Sequence, residues 1–167
     1  LRRQRQMCIR DSCNVQYSWC GTFSFDLKEL KMFDGVFEKT IDQHFRVYLN
    51  YCTLDYSMCW WDFARWEKEI DFMAMNGINM PLTPIGSEAV WYETLQEFNF
   101  TKEEALSFIS GPAFWAWQLM TNIDSYIPPK SEDYVYNRLE LGKKIIERCV
   151  ESVSYTHLLS HETLANL

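Results

Sequence analysis

Residues 45–91 read FRVYLNYCTLDYSMCWWDFARWEKEIDFMAMNGINMPLTPIGSEAVW, and this stretch decides the fold. Arg46 to Cys52 is short, aromatic and β-leaning, which predicts a strand. Thr53 to Cys59 reads as a polar turn containing Asp55 and Ser57. From Trp60 to Asn76 the period changes: Phe63, Trp66, Ile70, Met73 and Gly77 fall on one helical stripe. Arg65, Lys68 and Glu69 lie off that stripe and read as a solvated face, with Arg65 and Glu69 spaced for an i,i+4 ion pair. Asn76-Gly77 stops the helix, because glycine enters the left-handed conformation without a Cβ penalty. Ile78 to Ile85 is almost continuously apolar, as a strand buried on both faces should be. Strand, helix and strand in this order predict a βαβ unit with a parallel pair.

Working outward, Thr101-Lys-Glu-Glu104 is a capping box that opens a helix to about Ser110. Gly111-Pro112 breaks it, and Phe114 to Met120 reads as a short buried helix or turn. Asn122 to Lys130 is a loop ending in Pro128-Pro129. Ser131 is placed to cap a last helix to about Glu151, whose apolar face is Val135, Leu139, Leu141, Ile145, Ile146 and Val150. Gly86 to Phe98 reads as a tight loop followed by a short helix, and Asn99-Phe100-Thr101 has the form of a glycosylation sequon, more simply a plain loop.

The central stretch also resembles a known family. Asn50, Cys52, Thr53, Tyr56 and Ser57, then WWDFARWEKEIDFMAMNGIN, GSEAVW and Gly111-Pro-Ala-Phe-Trp-Ala-Trp117, are similar to the motifs of the α-N-acetylglucosaminidases of glycoside hydrolase family 89. The resemblance implies an α/β fold, the first βα units of a partial (β/α)8 TIM barrel preceded by the end of a small α+β domain. It implies removal of terminal α-linked N-acetylglucosamine from a glycan by a retaining mechanism, with no cofactor and no metal. It carries the substrate pocket onto Asn50, Cys52 and Tyr56. The family's two catalytic glutamates lie on later barrel strands, so no catalytic residue is expected within this chain. Two motif positions depart from the pattern: Ser87 stands where the family usually has Gln, and Tyr126-Ile127 stands in a loop that usually carries Trp.

Each of these residues has a plainer reading. Asn50 and Tyr56 could simply hydrogen-bond within a loop, and Cys52 could be a small buried apolar residue. Glu88 invites pairing with Asp55 or Asp62, since a glycosidase needs two carboxyls about 5 Å apart for retention and further apart for inversion. The family pattern argues instead for Glu88 as a supporting residue behind the pocket. Asp62 belongs in the first turn of its helix, where negative charge suits the dipole. Trp60 and Trp61 read as core and pocket-floor packing.

Composition limits the other functions. The 167 residues carry a formal charge of −7, with seven Trp, nine Tyr and eleven Phe. An acidic chain without a basic patch is a poor nucleic-acid or anionic-membrane binder. No apolar run approaches the roughly 18 residues that span a bilayer. The six cysteines, at 8, 13, 20, 52, 59 and 149, form neither a CxxC pair nor a disulfide spacing, and with three histidines they do not build a metal site. The heavy aromatic load suits sugar-ring stacking or a large core.

Both ends look foreign to the rest. Residues 1–12 (LRRQRQMCIRDS) and 152–167 (SVSYTHLLSHETLANL) resemble translated adapter sequence, and they are set aside from the fold. Residues 13–43 are then expected to end the small domain and link it to the barrel, and 44–151 to begin the barrel. No leader segment is recognisable, and the compartment is left open. Three functions follow: part of a glycosidase, a carbohydrate-binding protein without catalysis, or an inactive truncated chain whose bare sheet edges would favour aggregation.

Overall fold

The computed structural model describes residues 42–152, and expectations for 1–12, for most of 13–43 and for the end of the chain lie outside them. The βαβ unit is present. Strand β1 (Val47–Tyr48) pairs in parallel with β2 (Met80–Pro81), with Val47 opposite Met80 and Tyr48 opposite Pro81. Helix α2 (Phe63–Met75) connects them. The remaining helices are α1 (Tyr51–Tyr56), α3 (Ser87–Glu97), α4 (Lys102–Phe108), α5 (Trp115–Leu119) and α6 (Glu132–Ser152). The described region is thus mostly helical around a two-stranded parallel sheet, part of an α/β barrel rather than a closed one.

The strands are shorter than their apolar runs because the chain leaves the ladder early. Leu49 sits at φ 74, in the left-handed region that β-carbon-bearing residues rarely enter, and turns the chain out of β1. The expected turn at Thr53 to Cys59 is instead largely helix α1: the Asn50 side-chain oxygen caps it by accepting from the Thr53 backbone at 3.0 Å. In β2, Pro81 has no N–H to offer a neighbour; of the expected buried run, Pro81 to Ile85 are buried and Ile78 to Met80 only half-buried. Asn79 extends the short pairing: its side chain accepts from Arg46 N at 2.8 Å and donates to the His44 carbonyl at 2.8 Å.

Helix α2 follows its predicted stripe. Trp66, Ile70 and Met73 are buried, and burial of a side chain such as Ile70 contributes about 1.5–3 kcal/mol. Asp62 is the N-cap rather than a first-turn residue, accepting from Arg65 N at 2.9 Å. At the other end Gly77 (φ 72) donates to Ala74 O and Ile78 to Met73 O, a Schellman ending. The capping box at Thr101 and Glu104 is formed reciprocally, as the sequence predicts.

Helix α6 ties the layers together. Ile145 and Cys149 join Trp66, Ile70, Met73, Leu82 and Ile85 in one core, while Val135, Leu139 and Ile146 join Ala89, Tyr92, Ala105, Ile109 and Trp115 in another. Its buried face differs from the expected one in two respects. Val150 is exposed, and Gly142 and Cys149 complete the stripe. Gly142 belongs there because α6 crosses so close to the Ile85 carbonyl that a β-carbon would overlap it.

Two further expectations change. Glu69 is not solvated: it is 1% exposed, pairs with Arg65 at 3.0 Å and accepts from the Tyr48 hydroxyl at 2.7 Å. The i,i+4 pair is formed, but helix α2 turns its carboxylate toward β1. Trp60 is 76% exposed, so it is not core packing. Trp61 does pack, edge-on to Trp66 with centroids 5.4 Å apart and with the Arg65 guanidinium over its ring at 3.8 Å.

The close crossing at Gly142 yields a test. Gly142→Ala forces a methyl group into the Ile85–Gly86 backbone and should destabilise by about 1–3 kcal/mol, read as a lower midpoint in denaturant unfolding.

Candidate functional site

In a parallel α/β arrangement the carboxyl ends of the strands gather the functional groups. Here β1 runs into Leu49, Asn50 and helix α1, and β2 runs into the buried segment Leu82–Gly86 and helix α3. Leu49, one of four non-glycine residues at positive φ among the described residues, lies at this exit. Such a conformation costs about 1–3 kcal/mol, and functional sites are where such strain concentrates.

The three expected pocket residues lie on or beside α1. Asn50 is exposed, and its side-chain oxygen accepts from both the backbone N and the hydroxyl of Thr53, at 3.0 and 2.9 Å. That is the local hydrogen bonding of the plainer reading, and it leaves the amide nitrogen as the donor side of the group. Cys52 is a half-buried free thiol. Tyr56 is 71% exposed, and its ring meets Trp117 edge to face with centroids 5.7 Å apart. Trp117, at the end of the GPAFWAW motif, is half-buried on α5. Sequence reasoning gave it no role in the site, although the motif was legible. Across the neighbouring loop, Phe114 and Tyr126 form a second edge-to-face pair at 4.6 Å.

The acidic residues beneath this rim are occupied. Asp55 is buried, and its two carboxylate oxygens accept from the backbone N–H groups of Ala116 and Trp117, at 3.2 and 3.0 Å. Burial pushes its pKa above the ordinary carboxylate value; the two N–H groups pull it back, the Glu88 charge adds to the rise and Arg138 opposes it. Glu88 is completely buried. One oxygen accepts from Gly86 N at 2.8 Å, and the other pairs with Arg138 Nε at 2.9 Å. Arg138 also donates to the Cys59 carbonyl, at 3.5 Å. Glu88 is therefore matched on both oxygens, with Arg138 as the partner that a separation of fifty residues concealed. Asp62 caps a helix in the open. Asp55 and Glu88 are each engaged on both carboxylate oxygens, and Asp62 on one.

Ser87, at the position where the family pattern has Gln, bridges elements: it accepts from Trp115 Nε1 at 2.9 Å and donates to the Pro84 carbonyl at 2.6 Å. Among the described residues, no group of three or more His, Cys, Asp or Glu could hold a metal ion, and no helix is long and apolar enough to cross a membrane.

Comparison with known proteins gives the family. Residues 46–154 match the family model described as the alpha-N-acetylglucosaminidase (NAGLU) TIM-barrel domain. The chain belongs to the alpha-N-acetylglucosaminidase family. It is 35% identical over 140 residues to the Homo sapiens alpha-N-acetylglucosaminidase, covering 84% of this chain and 19% of the human protein. The family 89 glycoside hydrolase from Clostridium perfringens in complex with PUGNAc superposes with a TM-score of 0.74 at 34% identity, covering 90% of this chain and 17% of that one. A form of that enzyme with two Glu-to-Gln substitutions, in complex with its substrate GlcNAc-α-1,4-galactose, gives a TM-score of 0.73 at 35% identity, covering 89% and 17%. The chain spans less than a fifth of the length of these glycosidase relatives.

Removing one partner from a buried ion pair leaves the other charge desolvated and unpaired. Arg138→Ala should therefore destabilise by about 3–5 kcal/mol, and adding Glu88→Gln should recover part of that loss, both measured by equilibrium unfolding.

Proposed function

We propose that this chain forms one wall of the substrate pocket of a glycosidase that removes terminal α-linked N-acetylglucosamine with retention of configuration. Residues 44–151 begin the barrel, and the acid/base and nucleophile come from strands outside it. The observation that carries this reading is the Tyr56–Trp117 aromatic pair, with Tyr56 on the same short helix α1 that carries Cys52 and that Asn50 caps. Aromatic faces of this kind take the apolar face of a sugar ring. The Asn50 amide nitrogen offers a donor to a hydroxyl or acetamido oxygen, and the Cys52 thiol is small enough to sit under an N-acetyl methyl. Glu88 and Arg138 keep the wall in place and take no part in bond cleavage. The substrate is a glycan ending in α-GlcNAc, the kind of sugar bound in the Clostridium perfringens complex. The chemistry asks for no cofactor or metal, because two carboxyl groups suffice for retaining hydrolysis.

The protein carrying this stretch should hydrolyse an aryl α-N-acetylglucosaminide and release the α-anomer first, followed by NMR. Sugar binding without turnover would favour a carbohydrate-binding protein instead. Tyr56→Ala and Trp117→Ala should each raise KM about tenfold, the equivalent of roughly 1.4 kcal/mol of lost binding, with less effect on kcat. Iodoacetamide should modify Cys52 in the folded protein, and N-acetylglucosamine should slow that modification, read site by site by mass spectrometry. Cys149 should stay unmodified, because burial pushes its thiol up to about 12.

A further inference from the structure

Helix α5 is five residues long and has no side-chain cap of its own: Phe114 occupies the N-cap position. A helix this short does not hold itself together, since nucleation costs more than one turn returns. Its first turn is nevertheless anchored. Asp55, on α1 and some sixty residues earlier in sequence, reaches across and accepts from Ala116 N with Oδ1 at 3.2 Å and from Trp117 N with Oδ2 at 3.0 Å. Asp55 is 6% exposed, so the carboxylate is taken out of water to make this contact. The residue that follows it on α1, Tyr56, is the one whose ring meets Trp117. The same carboxylate thus fixes the backbone of one member of the aromatic pair and neighbours the other in sequence.

We infer that Asp55 is a positioning residue: it docks the first turn of α5 onto α1 and so sets the Trp117 ring against Tyr56 in the geometry that receives the sugar. This rests on the pocket reading given under Proposed function for the sugar, but not for the docking itself. Other bonds to α5 do not substitute for it. Trp115 Nε1 donates to Ser87 Oγ, Gln118 Oε1 accepts from Ser110 N and Gln118 Nε2 donates to the Phe108 carbonyl, and none of these bonds is made by residue 117. A carboxylate that merely stabilised the fold would cost the same whether or not Trp117 kept its ring.

The test is a double-mutant cycle in the full-length protein that carries this stretch, with aryl α-N-acetylglucosaminide as the probe. Asp55→Ala should raise KM about tenfold with kcat changed less than threefold. In the Trp117→Ala background the same substitution should add less than twofold, because the ring it positions is gone. Asp55→Asn keeps one acceptor oxygen and should recover part of the loss; it also serves if the alanine variant does not fold. Equal effects of Asp55→Ala in both backgrounds would overturn the inference. A second readout needs no turnover: the nuclear Overhauser contacts between the Tyr56 and Trp117 rings should weaken or vanish in Asp55→Asn. Their full retention would overturn the positioning role even in a protein that hydrolyses the glycoside. If the unsubstituted protein does not hydrolyse the glycoside, the pocket reading fails, and the ring contacts still decide the role of Asp55.

Discussion

The buried ion pair between Glu88 and Arg138 is the constraint on which the region behind the rim depends. Glu88 is sealed from solvent, and an isolated carboxylate there would be very costly, so its oxygens must be matched. Arg138 matches one and the Gly86 N–H the other. Through these contacts the start of α3, the end of the β2 segment, the middle of α6 and, by way of the Cys59 carbonyl, the loop after α1 are tied to one charge. Apolar packing alone would let α6 slide along α3. A paired charge in a fixed direction does not, and Gly142 lets α6 come close enough to the Ile85–Gly86 backbone for the pair to close.

Around that pair the structure repeats one device: a polar side chain satisfies backbone groups that a short element cannot satisfy itself. Asn79 extends a two-residue strand, Asn50 starts a six-residue helix, and Asp55 starts a five-residue one. Short elements next to the carboxyl ends of strands can present side chains such as Tyr56 and Trp117 at an angle that a long helix could not. They need tethers to do so, and the tethers are directional hydrogen bonds, of which that of Asp55 is buried.

Much of this was legible in the sequence because the relevant physics is local. The stripe of Trp66, Ile70 and Met73, the Gly77 stop and the Thr101–Glu104 box each depend on residues within one or two turns, and each is found where the pattern puts it. The family motifs pointed to the family that the comparisons show. What the pattern missed depends on partners far along the chain. Glu69 reads as surface by periodicity until Tyr48 brings β1 onto it, and Trp60 reads as core until the bend before Asp62 turns it outward. Helix α1 reads as a turn because an N-cap at Asn50 and a polar helix share the same residue types as a loop. Trp117 lay in a recognised motif, but only the fold brings it to Tyr56.

The most direct test is a crystal structure of the protein that carries this stretch with N-acetylglucosamine bound. The account predicts the sugar at the end of β1, its ring against the Tyr56–Trp117 pair and its acetamido group near Asn50 and Cys52. A sugar bound elsewhere on the protein, with these four residues untouched, would contradict it.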